Sequence, residues 1–468
     1  MTMQTTWAKS KARSGKWRTR AESVVSLTRR PLIFNCLVVF FALYYYRPED
    51  LIRALAYIPM AKISGGLAFV ALLASMLGGG KFKVPAAVKI LWLLLVQMTL
   101  CIPLAMWPGG AFHTVFDKFA KGVVVAMLIS MVVVSLRELR KLLWIQASAV
   151  ALVTLFSIAL HSYGKDGRLS GIQESILSNP NDLAINIAIS FPLALAFMLH
   201  SRGFKKALWA LGLAVMAVGV VLTQSRSGLL ALIIIIVICV WEYGIKGKRR
   251  QVVVVTAVAL VVGMCIALSS AHYRARVESI FKGDVEGISA GERGSLEARR
   301  ELLKKSVMVA LTHPVFGVGP GCFILVDQGW HVAHNAYTEL AAESGIPALL
   351  LFLMAMGAAF KNITQLRKSN HYRDDPEFTL FTQALWAGLV GYLTGSCFAS
   401  TEYNLYPYFV IGYTCAMVRI IRAPLPARVE SEKGKEKVKG FAVGRLSFAG
   451  RPVSRNALTP TTKSVPWT

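Results

Sequence analysis

Long apolar runs alternate with short polar connections along most of the chain, and the run lengths predict its elements. A helix that crosses the hydrocarbon layer needs about 20 mainly apolar residues. Twelve runs approach or reach that length: 31–46, 63–80, 84–107, 114–135, 142–161, 182–200, 207–224, 227–242, 251–271, 345–360, 378–400 and 405–421. The first is short, and the second contains Gly65 and Gly66. Stretches such as Leu229 to Val240 and Val252 to Val262 are too long and too apolar for an exposed surface, which sets aside the core helices of a large soluble protein. The pattern predicts an all-α polytopic membrane protein of about 12 transmembrane helices, with one large, partly helical loop at 272–344. That loop opens on a polar, glycine-containing stretch, Lys282 to Gly294. Its helix is expected from Ser295 to Thr312, stopped by Pro314 and followed by the turn Gly317-Val318-Gly319-Pro320-Gly321. Glu297 and Glu301 favour the positive dipole end of such a helix. No internal repeat is visible, and the basic N-terminus leads into a run that nothing marks for cleavage.

Composition fits this picture, and charge orients it. Hydrophobic residues make up 55% of the chain, charged ones only 16%, and the mean hydropathy is +0.52. A soluble domain carries about 25% charged residues. The net charge of +27 would ordinarily suggest a nucleic-acid partner, but its placement removes that need. The bases gather in the tail 1–30, in alternate short connections (Lys81 and Lys83; Arg137, Arg140 and Lys141; Arg202, Lys205 and Lys206; Lys246, Lys248, Arg249 and Arg250; Lys361, Arg367, Lys368 and Arg373), and in the tail 423–468. Lys and Arg are retained on the cytoplasmic side. Nearly all of the +27 thus falls on one face, both termini are expected in the cytoplasm, and the near-neutral loop 272–344 lies on the opposite face. The expected organisation is a basic tail (1–30), spans one to nine (31–271), the outer loop (272–344), spans ten to twelve (345–422) and a disordered basic tail (423–468). Of seven cysteines only Cys322 lies outside an apolar stretch, so neither a disulfide framework nor a CxxC metal site is expected.

Charges at the outer ends of the spans are the candidate chemistry, because a charge deep in the bilayer costs about 2.5–3.5 kcal/mol on insertion scales. Asp117 and Lys121 stand at i, i+4 and suit an ion pair. Arg226, in Thr223-Gln224-Ser225-Arg226-Ser227-Gly228, has no acidic neighbour in sequence; it suits either a phosphate or a lipid headgroup. Arg168 adds a second outer cation ahead of Asn179-Pro180-Asn181-Asp182, a turn and helix N-cap signal. In the loop helix Leu296, Arg299, Leu303, Ser306 and Ala310 fall on one stripe, so Arg299 is either packed structurally or set against an anion. His331 and His334 at i, i+3, with Glu339 or Glu343 as a third donor, could hold a metal, although HxxH without HExxH is a weak signal. A neutral histidine is equally a general base near pH 7, or a cap.

Taken in order, these pieces resemble the O-antigen ligase and polymerase superfamily of bacterial integral-membrane glycosyltransferases. The resemblance rests on Arg168–Gly171 with Asn179–Ala184, on Thr223–Gly228, on Arg299 ahead of His313-Pro314-Val315-Phe316-Gly317-Val318-Gly319, and on His334-Asn335-Ala336-Tyr337 before Glu343-Ser344-Gly345. One departure is Leu303, where many relatives carry an aromatic residue. The resemblance implies a multi-pass protein of the bacterial inner membrane with a periplasmic active site. Its donor would be a glycan on undecaprenyl pyrophosphate, transferred with inversion and without metal or cofactor. It assigns His334, Arg226 and Arg299 to catalysis, and Arg168, Asn181, Asn335 and Tyr337 to substrate binding. The acceptor hydroxyl could belong to lipid A–core, to another lipid-linked repeat or to a protein. A secondary transporter would show repeated halves with midplane sites, and a scaffold for polysaccharide assembly would tolerate loss of these residues.

Overall fold

A computed structural model describes residues 30–48, 60–77, 83–164, 167–171, 179–250, 252, 290–326 and 331–422. The described residues are nearly all helical and include no strand; one isolated antiparallel bridge joins Tyr163 to Leu169. The main helices are α1 (Arg30–Tyr46), α2 (Met60–Leu77), α3 (Ala86–Cys101), α4 (Ala120–Val132), α5 (Leu136–Ala159), α6 (Pro180–His200), α7 (Gly203–Leu222), α8 (Arg226–Cys239), α9 (Ala290–Thr312), α10 (Ala336–Arg367), α11 (Pro376–Ser396) and α12 (Tyr406–Arg422). Short π-helical stretches, Thr114–Phe119 and Val240–Lys246, precede α4 and follow α8.

Eleven of the twelve apolar runs carry one of these helices. The ninth run apart from Val252, the stretch Lys282 to Ser289, residues 1–29 of the expected tail 1–30 and the tail 423–468 lie outside the described residues. Among the described residues, six stretches are long and apolar enough to cross a membrane: Ala86–Leu104, Leu136–Ala159, Pro180–His200, Gly203–Leu222, Arg226–Lys246 and Ala336–Arg367. Outward-facing Leu93, Leu100, Phe204, Leu211 and Val237 stay exposed, as side chains in contact with lipid would. Helix α6 is the hub, buried along most of its length among α5, α7, α8 and α11. Helix α10 packs against α3, α9 and α12.

The loop helix begins earlier than expected, at Ala290, and ends at Thr312 as expected. Its buried face shares Arg299, Ser306 and Ala310 with the stripe read in the sequence and departs from it at Leu303. Leu302, Ser306, Val309 and Ala310 are buried and Arg299 is partly so, whereas Leu303 is exposed. Val307, Met308 and Leu311 are exposed as well, so apolar residues cover more than one side of α9 and the pattern alone could not choose its face.

Helix α10 extends through the boundary expected at 345 and is kinked there. Gly345 has φ +81°, in the left-handed region that glycine favours, and Pro347 lacks an N–H. The freed carbonyls are taken up by the glycine-rich turn: Val318 N–H donates to Ala342 O at 2.9 Å and Gly319 N–H to Glu343 O at 2.9 Å. In return Ile346 N–H donates to Pro314 O at 2.7 Å. The approach needs two glycines. A Cβ on Gly345 would stand 2.1 Å from Val315 O, and one on Gly317 2.3 Å from the Glu343 carbonyl carbon. Gln97 of α3 closes the joint, donating to Val315 O at 2.8 Å and Ser344 O at 3.2 Å. A small core of Leu302, Val309, Val318, Cys322, Phe323, Ala333 and Ala342 lies beneath.

Candidate active site

His334 ends the segment that enters α10, and its backbone is left-handed, with φ +55°. A non-glycine residue held there costs of the order of 1–3 kcal/mol and persists where its surroundings determine it. Those surroundings are specific. Asn335 caps α10, its Oδ1 accepting from Tyr337 N–H at 3.0 Å and Thr338 N–H at 3.1 Å, while its Nδ2 donates to Cys397 O at 3.1 Å. Glu339 accepts from Ala333 N–H at 3.0 Å and from the Ser400 hydroxyl. The Tyr337 hydroxyl donates to Leu393 O at 2.7 Å. Both polar ends of Asn335 and the Tyr337 hydroxyl thus serve the protein itself, fixing the loop after His334 as the Ala333–Glu339 bond fixes it before.

Burial and neighbouring basic side chains act on that imidazole. Burial, then the charges of Arg299, His331 and Arg168, push His334 down to about 4. It is therefore neutral at pH 7 and able to accept a proton. It also faces a cavity of about 1470 Å³, whose wall includes Asn181, Asp182, Lys118, Glu339, Glu343 and Glu402.

The second half of the site is a hydrogen-bonded node. Arg168 donates through Nε to Thr223 O and through Nη2 to Asn181 Oδ1, both at 2.9 Å. Ser225 Oγ donates to the same Asn181 oxygen at 2.8 Å and caps α8 at Gly228 N–H, 3.2 Å away. The node places Arg226, the next residue, at the first turn of α8, exposed and without an ion-pair partner among the described residues. The close packing of α8 on α6 leaves no room for a side chain at Gly228, where a Cβ would meet Ala184 Cβ at 2.2 Å. The cap of α6 falls on Asn179, which accepts from Asn181 N–H at 2.8 Å, so Asn181 is left to join Arg168 to Ser225. The Asp117–Lys121 pair is present at 3.2 Å, with His113 3.3 Å from the same carboxylate.

The metal reading of the two histidines finds no group to support it. Among the described residues, the one set of His, Cys, Asp or Glu close enough to share an ion is Glu339, Glu343 and Glu402, without either histidine. Glu343 clamps the glycine-rich turn: Gly321 N–H donates to its Oε2 at 2.8 Å, Phe323 N–H to its Oε1 at 3.0 Å, and the Tyr403 hydroxyl also bonds it. Glu402 and Ser400 escaped the sequence reading. They belong to Ser400-Thr401-Glu402-Tyr403-Asn404, a polar interruption between the last two apolar runs, and a glutamate there is the signal that could have found them.

Bundle and site together define a multi-pass helical membrane protein with its polar groups gathered where several helices begin. Residues 211–353 match the family model described as O-antigen ligase, in agreement with the resemblance carried by the motifs. The chain is also similar to the exopolysaccharide production protein ExoQ of Rhizobium meliloti (strain 1021), with 25% identity over 315 residues that cover 61% of this chain and 68% of ExoQ. These likenesses support a role in polysaccharide biosynthesis. The matched segment contains Arg226, Arg299, His334, Asn335, Tyr337, Glu339 and Glu343; Arg168, Asn181 and Glu402 fall outside it.

Proposed function

We propose that this chain is a glycosyltransferase of the inner membrane that moves a glycan from undecaprenyl pyrophosphate to an acceptor hydroxyl at the periplasmic face. It has twelve spans and cytoplasmic termini, and the loop 272–344 is periplasmic. The observation that carries the reading is His334: neutral, held in a left-handed backbone at a large cavity, and set within reach of the charges of Arg299 and Arg168.

The acceptor hydroxyl gives its proton to the imidazole of His334 as its oxygen attacks the anomeric carbon. The bond from that carbon to the pyrophosphate oxygen breaks on the opposite face, so configuration inverts and undecaprenyl pyrophosphate leaves with the bonding electrons. Arg226 and Arg299 hold the pyrophosphate and offset its developing charge, a role for which the planar guanidinium is suited. Arg168 and Asn181 line up the donor beside them, and Asn335 and Tyr337 hold the loop that presents His334 to it. A bound pyrophosphate also counters the cations that depress His334, so the base strengthens once the donor is in place. The same residues serve lipid A–core, a lipid-linked repeat or a protein hydroxyl, since each offers the same nucleophile.

Transfer with the purified protein, a synthetic lipid-pyrophosphate glycan and each acceptor in turn tests this reading. H334A and R299A each lose at least roughly two orders of magnitude, and EDTA leaves transfer intact. Activity retained in H334A, or lost on chelation by a protein that stays folded, overturns the mechanism. A reporter fused after residue 300 reads periplasmic.

A further inference from the structure

Three carboxylates that the proposed transfer leaves unused meet at the cavity wall. Glu339 and Glu343 lie in the first turns of α10, and Glu402 lies in the connection from α11 to α12. Each offers an oxygen within 4.8 Å of the other two, and the residues are only 3%, 1% and 1% exposed. The three are not equivalent. Glu343 accepts from Gly321, Phe323 and Tyr403, and Glu339 accepts from Ala333 and Ser400. Glu402 is different: both of its oxygens are buried and neither has a hydrogen-bond partner. Lys118, on the same cavity wall, is exposed and makes no ion pair with any of the three among the described residues.

A buried carboxylate without a donor beside two carboxylates that have theirs is a set of oxygen ligands lacking a positive centre. Buried charges are found paired or on metals. An all-oxygen, all-carboxylate donor set suits hard cations such as Ca²⁺ or Mg²⁺, which complete their shells with water or main-chain carbonyls, and not zinc or copper. We propose that Glu339, Glu343 and Glu402 bind a hard divalent cation that ties the His334 loop, the glycine-rich turn and the 397–405 connection into one piece. Each of these segments already hangs from one member of the set: Ala333 from Glu339, Gly321 and Phe323 from Glu343, and the connection from Glu402 itself. The cation is structural: no step of the transfer passes through it, and below the melting point of the stripped protein the hydrogen bonds to Glu339 and Glu343 still hold the His334 loop, so transfer continues without the ion.

The test uses the full chain in detergent and reads binding and melting, so it is independent of which acceptor is used or whether transfer occurs. Protein stripped with EDTA melts several degrees lower than protein given Ca²⁺ or Mg²⁺, whereas added Na⁺ restores nothing. Equilibrium dialysis against ⁴⁵Ca²⁺, with Mg²⁺ as competitor, finds about one site per chain. E402Q removes the buried charge and keeps the shape: its ion-free melting point is no lower than that of the stripped wild type, its response to divalents is gone, and its ⁴⁵Ca²⁺ site is lost. Absence of a stoichiometric site in the wild type overturns the proposal whether or not the variant folds. So does a wild type whose melting follows pH and ignores divalents, the behaviour of carboxylates sharing protons, and so does an E402Q that responds as the wild type does.

Discussion

Where α6 ends and α11 begins, carboxylates and cations are matched one against another: Glu377 lies 3.1 Å from Arg140 and 3.8 Å from His200, and buried Glu242 lies 3.3 Å from Arg367 and 3.4 Å from Lys246. Arg30 and Glu138 pair at the start of α1 and α5. At the other end of the same helices the signs are sorted apart. Arg168, Arg226 and Arg299 gather around His334 and the Asn181 node, while Glu339, Glu343 and Glu402 cluster with one another. Each carboxylate there has a counter-charge beside it, which suits the first end to stability. At the second end Arg226 makes no ion pair and neither carboxylate oxygen of Glu402 has a hydrogen-bond partner among the described residues, and under the two proposals an anionic donor and a cation bind there.

That contrast can be broken from either side. The largest expected effect is on stability at the matched end: E242A leaves Arg367 facing a buried gap and costs about 3–5 kcal/mol, read as a fall in melting temperature, with the activity per folded molecule unchanged. At the sorted end H334G inverts the pattern. It abolishes at least roughly 99% of transfer yet melts no lower than the wild type, because glycine adopts φ +55° without strain. A drop in melting as large as that of E242A would show that His334 is structural.

The third prediction concerns pH. The folded His334 sits at about 4 against an ordinary value of 6.5, so between these limits the folded state binds fewer protons than the unfolded one. This group's contribution to stability is therefore complete above 6.5 and declines as pH falls toward 4. The acid limb of kcat/KM, which reports the free enzyme, lies near 4, and R299Q moves it upward by removing a positive neighbour. A limb at 6.5 that ignores R299Q would separate the imidazole from the arginines. The smallest effect belongs to the exposed member of the matched set: R140A changes stability by less than about 1 kcal/mol, with transfer untouched.

The bundle was legible because apolar run length and basic connections are local signals, and eleven runs reappear as helices. His334, Arg168 and Arg299 were legible as charged or titratable residues in apolar or turn settings, and the structure brings them together. What the sequence withheld depends on distant partners. Asn181 resembles a cap, and only the approach of Arg168 and Ser225 makes it a node. Asn335 and Tyr337 resemble ligand contacts, and only Cys397 and Leu393, some 60 residues on, turn them into supports. On α9 the expected stripe holds at Arg299, Ser306 and Ala310, but packing against α10 buries Leu302 and Val309 and leaves Leu303 exposed, a choice among neighbouring apolar residues that the pattern could not make.

The joint at Gly345 bears on how the protein comes to be made. It takes donors from Val318 and Gly319 and a bridging amide from Gln97 in α3, and the residues beside it are held by Ser400, Tyr403 and Cys397. Those groups leave the ribosome at widely separated times. A nascent chain that has inserted only its early helices possesses Arg168 and Arg226 but has no seat for His334, and the candidate site closes only with α11 and α12. Under the proposed function, transfer therefore waits for α11 and α12: an arrested or truncated chain lacking them would sit in the membrane with its cations assembled and its imidazole unplaced.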